Sequence, residues 1–291
     1  MIAQQIVNGI SLGMGYALLA VGYSMVFGIL RLVDFSIGGV YAFGAVISLV
    51  FVSANFGIGP AILLSIVLTG LLEVIDNKFC LEPLRKKDSP PISSLITTIG
   101  ISNIITNLLI VFVGSEKRSF PKIFNFSPIT IGTTVITGKQ IGMLVVSIAM
   151  MLILMFIVFK TKIGLAMRAT EQNAKAANMN GINVNFIINI TFLITGICAS
   201  IAGSLIASYY SVVYPGMGNM TSLKAFAAAV LGGIGVLPGS IIGGMVVGVS
   251  ESLAATFFGS SYRDSVAFII LIVVLIIRPN GILGKKGIMK V

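Results

Sequence analysis

Histidine is absent from this sequence, and charged residues of either sign are scarce. Of the 291 residues, 10% are charged, with 19 Lys and Arg against 9 Asp and Glu. A soluble domain carries roughly a quarter charged residues, so this fraction is too low to coat a globular surface. The absence of histidine removes the commonest metal ligand and the side chain best suited to proton transfer near neutral pH. The sequence also offers no paired carboxylates and no nucleophile motif, so we expect neither a catalytic site nor a metal site.

Cysteine is almost absent as well. Cys80 and Cys198 are solitary, without CxxC or zinc-binding spacing, and they do not indicate a disulfide framework. A phosphate-binding loop is also missing, because residues 281–286 lack the spacing and the hydroxyl of GxxxxGK[ST]. The N-terminus has no basic segment or small-residue cleavage site, so its first apolar run is predicted to be a retained helix.

Long apolar runs are what the chain does contain. Apolar residues make up 56% of it, and the mean hydropathy is +1.06. A bilayer-spanning helix needs about 20 mostly apolar residues, whereas the strands of a membrane barrel would alternate over about ten. We therefore predict an all-α, polytopic integral membrane protein, with residues 1–291 forming one transmembrane domain. The predicted spans are residues 6–30, 57–79, 92–113, 141–159, 186–209, 241–258 and 265–277.

Two further apolar stretches, residues 37–52 and 223–236, are short for a full crossing. Each is predicted to be a broken or re-entrant segment, with a break at Pro238 and Gly239 after the second. The total is then about eight to ten membrane segments. One such stretch lies in each half of the chain, which is the usual indication of an inverted repeat.

The basic residues lie mostly in loops between apolar runs, which indicates membrane orientation and argues against nucleic-acid binding. They cluster in residues 78–88, 160–175 and 278–290. The positive-inside tendency makes these segments cytoplasmic, including the C-terminus. Residues 114–140 then form an external loop, although they carry four basic residues of their own. The side on which Met1 lies depends on whether residues 37–52 span, and is left open.

The cytoplasmic loop, residues 160–185, is the first candidate functional segment. It is rich in alanine, Glu171 stands four residues before Lys175, and Gly181 suits a helix C-terminal cap. These features predict a short helix, preceded by Gly164, with small residues on one side. A solvated connecting helix is the alternative.

This loop resembles the coupling segment of ATP-binding-cassette permeases. The resemblance implies a short helix that sits in a groove of a separate ATPase subunit, which binds the ATP and Mg²⁺, so that no cofactor is expected on this chain. The residues that would contact the ATPase are Arg168, Glu171, Asn173, Ala174, Ala177, Gly181 and Ile182.

The second candidate segment, residues 224–251, is rich in glycine, with Gly235, Gly239 and Gly243 spaced by four. Such small faces allow close helix packing in lipid. This stretch, together with residues 8–18 and 278–284, resembles the branched-chain amino acid permease family, and the chain resembles the shorter of its two paired subunits. The resemblance implies an importer in the bacterial inner membrane, surrounded by lipid. Its implied partners are ATPase subunits, a homologous second permease subunit in a heterodimer, and an external substrate-binding protein.

One departure from the family pattern affects the substrate. Ile37 and Gly39 stand where the family commonly has a histidine and an acidic residue, so importers of urea, amides or sugars stay open as alternatives. A secondary, ion-coupled transporter and a passive channel are the rival classes, and neither would need a partner-docking helix. The predicted pathway or packing residues are Asp34, Ser36, Gly38, Gly39, Gly232, Gly233, Gly235, Gly239 and Glu251.

Acidic residues within apolar runs are the last candidates, because charge at membrane depth is costly and usually faces a cavity or a partner. Glu73 and Asp76 are predicted to lie at the interface, close to Lys78. Asp34 is predicted to pair with Arg31. For Glu251, a role in the pathway and a helix–helix hydrogen bond are both open.

Overall fold

The computed structural model describes residues 2–87, 89–124, 126–131, 134–278 and 280–284. It confirms the all-α prediction, and seven helices in the described part of the chain are long and apolar enough to cross a membrane. The helices are α1 (Ile2–Leu30), α2 (Ile37–Ser53), α3 (Ile58–Asp76), α4 (Glu82–Lys86), α5 (Pro91–Val113), α6 (Gly138–Lys160), α7 (Lys162–Gln172), α8 (Ala174–Met179), α9 (Val184–Tyr210), α10 (Met217–Gly232), α11 (Leu237–Phe257) and α12 (Arg263–Ile277). A π-helical turn, Asn77–Leu81, joins α3 to α4, and a 3₁₀ turn, Ser260–Tyr262, precedes α12.

Helices α1 and α9 form the centre of the bundle. The buried residues of α1 run without interruption from Ser11 to Val26, and a helix that is apolar on all sides is expected to be surrounded. In α12, by contrast, Ala267 is the one buried residue. The outward faces of α3, α5, α6 and α12 carry exposed aliphatic and aromatic side chains, as a lipid-facing surface requires.

Close contact between α1 and α11 depends on glycine. A Cβ atom added at Gly248 would lie 2.4 Å from the Gly13 Cα, and one at Gly244 would lie 2.5 Å from the Ala17 Cα. Backbone therefore meets backbone at this crossing, which confirms the close packing predicted from the small residues.

The break between α10 and α11 lies earlier than predicted. Pro238 belongs to the first turn of α11, where proline's missing N–H costs nothing. The non-helical residues are 233–236, in which Gly233 (φ 105°) and Gly235 (φ 89°) adopt left-handed conformations that favour glycine. The C-terminal segment caps this break, because Ile282 N donates to the carbonyl of Leu231 at 2.8 Å.

Helix α2 has 17 residues and follows a non-helical segment, residues 31–36. Its first turn lies against the start of α10: a Cβ added at Gly38 would lie 2.8 Å from the Ser222 Oγ. Both stretches identified as short in the sequence are therefore short helices that contact each other. The inverted repeat stays a prediction.

Two faces of the bundle can be distinguished. Strand β1 (Arg118–Ser119) pairs with β4 (Val212–Val213), and β2 (Ile129–Ile131) with β3 (Thr134–Ile136). Gln4 Nε2 donates to the carbonyl of Val135 at 2.9 Å, so α1 begins on this same face. Helix α7 and the break at 233–236 lie together at the other end of α1.

Candidate coupling and translocation sites

The loop between α6 and α9 contains two helices where one was predicted. Asn173 separates them, with φ −160° and ψ 104°, and its side chain accepts a hydrogen bond from Ala176 N at 3.0 Å. Asn173 is the N-cap of α8, so its side chain bonds a backbone N–H of the first helical turn. In a continuous helix that N–H would instead donate to a backbone carbonyl. Glu171 and Lys175 consequently lie on different helices, so the predicted pair within one helix is wrong.

Gly164 also differs from its prediction, since it lies inside α7. A Cβ there would lie 2.2 Å from the Val158 carbonyl oxygen, so α7 folds back tightly against the end of α6. The hydroxyl of Thr161 caps α7 by accepting from Gly164 N at 3.1 Å.

The end of α8 confirms the predicted cap. Gly181 has φ +83°, and Ile182 N donates to the carbonyl of Ala177 at 3.1 Å, which is the hydrogen bond of a Schellman motif. Ala177 is itself buried, so it supports the helix and offers no contact surface to a partner. The other six predicted coupling residues are exposed or half-buried.

The coupling segment contacts the membrane helices α6 and α9 as well as α1, and its contact with α1 lies beside the α10–α11 break. A cavity of about 30 Å³ is bounded by α1, α7 and the α10–α11 break. At Gly28 of α1, an added Cβ would lie 3.7 Å from the Glu171 Cδ and 3.8 Å from the Gly235 Cα. A displacement of α7 would therefore act on α1 and on the break together.

The predicted pathway glycines divide into two groups. Gly232 and Gly239 pack directly on each other, because a Cβ at Gly232 would lie 2.0 Å from the Gly239 carbonyl oxygen. Gly233 is covered by the C-terminal segment, because a Cβ at Gly233 would lie 2.6 Å from Gly284 N. These three are packing positions, whereas Gly235 lies beside the small cavity at the coupling segment.

The residues before α2 form a compact polar turn. Asp34 is buried, and its Oδ1 accepts hydrogen bonds from Ser36 N at 2.9 Å and from Ser36 Oγ at 2.5 Å. Among the described residues no ion pair joins Asp34 to Arg31, so that predicted pair is wrong. Gly39 N donates to Ser102 Oγ of α5 at 3.0 Å, which places this turn between α10 and α5.

Glu251 is the centre of a buried charge cluster that sequence analysis only partly found. Its Oε1 lies 2.9 Å from Lys224 Nζ and 2.9 Å from Arg263 Nε, and it accepts from Tyr16 OH at 3.3 Å. Lys224 also contacts Asp264 Oδ1 at 2.6 Å. The cluster joins α1, α10, α11 and α12. A lysine within an apolar run is itself a signal, and Lys224 could have been found from it.

Glu73 is completely buried against α9, and neither carboxylate oxygen has a hydrogen-bond partner among the described residues. Glu73 is therefore surrounded by protein, and its position at the membrane interface stays a prediction. Asp76, one turn later, is half-buried. Next to it, Asn77 Nδ2 donates to Asn189 Oδ1 at 2.6 Å and ties the π-helical turn to α9.

Comparison with known proteins agrees with this architecture. The family model described as "Branched-chain amino acid transport system / permease component" matches residues 5–275. The chain is 37% identical to the high-affinity branched-chain amino acid transport system permease protein BraD of Pseudomonas aeruginosa, over 99% of this chain and 97% of that one. It is 35% identical to LivH of Escherichia coli K12, which carries the same description, over the same shares. The galactofuranose transporter permease protein YtfT of Escherichia coli is more distant, at 26% identity over 94% of this chain and 79% of that one.

These matches run along almost the whole chain and accompany seven helices that, among the described residues, are long and apolar enough to cross a membrane. The protein is therefore a multi-pass membrane protein that belongs to the family of branched-chain amino acid transport system permease components.

Proposed function

We propose that this chain is the permease subunit of an ATP-binding-cassette importer for branched-chain or related small amino acids. This substrate is that of the related permease proteins BraD and LivH, which belong to high-affinity branched-chain amino acid transport systems. The observation that carries the coupling role is the α7–α8 segment, which exposes its surface on one side and touches α1 and Gly235 on the other. ATP and Mg²⁺ belong to separate ATPase subunits, and an external binding protein delivers the substrate.

The geometry suggests how ATPase closure would reach the membrane. Force on α8 passes through Asn173 to α7, whose Glu171 lies beside Gly28 and Gly235. Since α1 packs backbone to backbone on α11, a shift at Gly28 moves two long helices together. This is the rigid-body rocking of packed elements that alternating access requires.

The positive-inside tendency gives the orientation. The loop at 160–185 and the C-terminus are then cytoplasmic, and residues 114–140 and the start of α1 face outward. The membrane is the bacterial inner membrane, and a homologous second permease subunit completes a heterodimer. In this role the chain transports its substrate and does not catalyse a reaction of it.

The coupling role is tested with the assembled transporter in proteoliposomes. Gly181→Val places a β-branched residue at φ +83°, which distorts the end of α8, and Glu171→Lys reverses the charge beside Gly28. Both variants should insert normally but lose ATP-dependent leucine uptake. Gly259→Val is the matched control, because Gly259 has φ +97° and, like Gly181, nothing within 4 Å of its added Cβ, but precedes α12. Unchanged uptake in the Gly181 and Glu171 variants would reject the coupling role.

The substrate needs its own measurement, because the sequence similarity to the galactofuranose permease leaves sugars as a second candidate. Leucine, isoleucine, valine, urea and galactofuranose are compared as substrates of the same proteoliposomes. The proposal expects ATP-dependent uptake of the three amino acids only. Uptake driven by an ion gradient without ATP would instead indicate a secondary transporter.

A further inference from the structure

A cavity of about 660 Å³ lies at the face where α1 begins. This volume is within the range of small-molecule sites. It is an open cavity lined by the starts of α1 and α6, the segment before β2, and the end of α9. The residues that matter here are Gln4, Asn8, Lys122, Phe124, Lys139 and Gln140.

The amide groups of this cavity are already engaged with one another. Gln140 Nε2 donates to Asn8 Oδ1 at 2.6 Å, and Gln4 Nε2 donates to the same oxygen at 3.2 Å. Gln140 is buried. The remaining polar groups include two ammonium groups, on Lys122 and Lys139, and Lys139 Nζ also donates to Ser211 Oγ. The described lining contains no acidic side chain, so the cavity favours a carboxylate.

Aromatic rings also line the cavity. Phe124 and Phe126 are stacked, with ring centroids 5.9 Å apart and an angle of 14° between the planes. Two glycines of α6 make room for them: a Cβ at Gly142 would lie 2.1 Å from the Phe124 ring, and one at Gly138 would lie 2.4 Å from the Phe126 carbonyl oxygen. A second, apolar cavity of about 300 Å³ lies against the same two rings. The site therefore has a cationic side and an apolar side.

We propose that this cavity is an outer acceptor subsite for the transported amino acid. The carboxylate of the solute would bind the ammonium groups of Lys122 and Lys139, and its aliphatic side chain would contact Phe124 and Phe126. Charge-assisted hydrogen bonds favour the carboxylate, but solvent screens exposed charges and keeps the attraction small. Weak binding suits a site that must pass its solute on. The subsite would also give a role to two of the lysines that run against the positive-inside pattern. This inference rests on the proposed amino-acid substrate.

The test uses the assembled transporter in lipid nanodiscs, without the external binding protein, and measures equilibrium binding of radiolabelled leucine and leucinamide. Leucine should bind saturably and leucinamide, which lacks the carboxylate, much more weakly. The double variant Lys122→Gln/Lys139→Gln should bind leucine about tenfold more weakly, as expected when charge-assisted hydrogen bonds are lost. Lys117→Gln is the control, because Lys117 lies in the same loop but over the Tyr214 ring, outside the cavity.

A second variant tests the apolar wall. Gly142→Ala should displace the Phe124 ring and weaken leucine binding while leaving glycine binding unchanged, since glycine has no side chain to contact the rings. Equal leucine affinity in the wild type and the double lysine variant would overturn the proposal. The proposal would also be overturned if the double lysine variant lost affinity for the external binding protein but not for leucine. The two lysines would then form a protein-docking site. ATP-dependent leucine uptake by the wild type is measured separately, and its absence would reject the amino-acid substrate instead.

Discussion

The charge cluster around Glu251 allows a quantitative prediction for Glu251→Gln. The substitution keeps the shape of the side chain and removes its negative charge. Of the two acidic partners that Lys224 has among the described residues, Asp264 then remains, with a side chain that is 50% exposed, while the Lys224 side chain is 8% exposed. Arg263 loses its carboxylate partner, although its side chain is 31% exposed and water can solvate it in part.

The expected cost follows from this loss of compensation. Removing one partner of a buried ion pair typically destabilises by about 3–5 kcal/mol, because the other charge stays buried. Lys224 keeps a second acid at 2.6 Å, so we expect the lower end, about 3 kcal/mol. In the double variant Lys224→Met/Glu251→Gln the charges of Arg263 and Asp264 balance. That variant should be less destabilised than the sum of the single variants, with a coupling energy of about 2 kcal/mol.

Unfolding in mixed micelles by SDS, followed by circular dichroism, measures these free energies of unfolding. Glu82→Gln is the matched control, since Glu82 forms an ion pair of 2.8 Å with Lys86, whose side chain is 69% exposed. Exposed pairs of this kind contribute less than about 0.5 kcal/mol. The reasoning would be refuted if each single variant lost less than about 1 kcal/mol of unfolding free energy and the double variant lost the sum of the two. The cluster would then behave as a surface pair.

Two glycine substitutions test helix packing, and a third substitution tests the burial of Glu73. Gly248→Ala should destabilise the protein by about 1–3 kcal/mol, because its Cβ would lie 2.4 Å from the Gly13 Cα. Gly100→Ala is the control and should be neutral or stabilising, because nothing lies within 4 Å of its Cβ. The same SDS unfolding compares the two variants, and equal effects would contradict the tight crossing of α1 and α11. Glu73→Leu should raise the thermal unfolding midpoint of the purified transporter, because it removes a buried carboxylate without a hydrogen-bond partner among the described residues. A lower midpoint would show that this carboxylate is compensated in the assembled transporter.

The membrane helices could be predicted closely from sequence because their signal is local. Residues 92–113 were predicted to span, and the helix is Pro91–Val113. The length and apolar character of a run reflect directly what a bilayer demands. The sequence pattern predicts the break before α11 at Pro238, but the first turn of a helix tolerates proline, and the break lies at residues 233–236 instead. Gly233, one of the two left-handed glycines of the break, packs against the C-terminal segment, more than 40 residues away in sequence.

The candidate sites were predicted less completely, since they depend on which helices meet. Glu251 was identified as a buried acid, but its partners Lys224 and Arg263 come from α10 and α12, and local pattern does not indicate that pairing. In the coupling segment, the alanine content favoured one helix. The cap formed by Asn173 instead divides it, because a short polar side chain competes with the backbone for hydrogen bonds. The outer cavity was missed because its lining joins residues from distant parts of the chain.

The most direct test of the importer function is affinity purification of this chain from its native membrane, followed by reconstitution of whatever co-purifies. We expect recovery of ATPase subunits and a homologous permease, and ATP-dependent leucine uptake when the external binding protein is supplied. A chain that purifies alone and moves a solute down an ion gradient without ATP would contradict it, and α7 and α8 would then be ordinary surface helices.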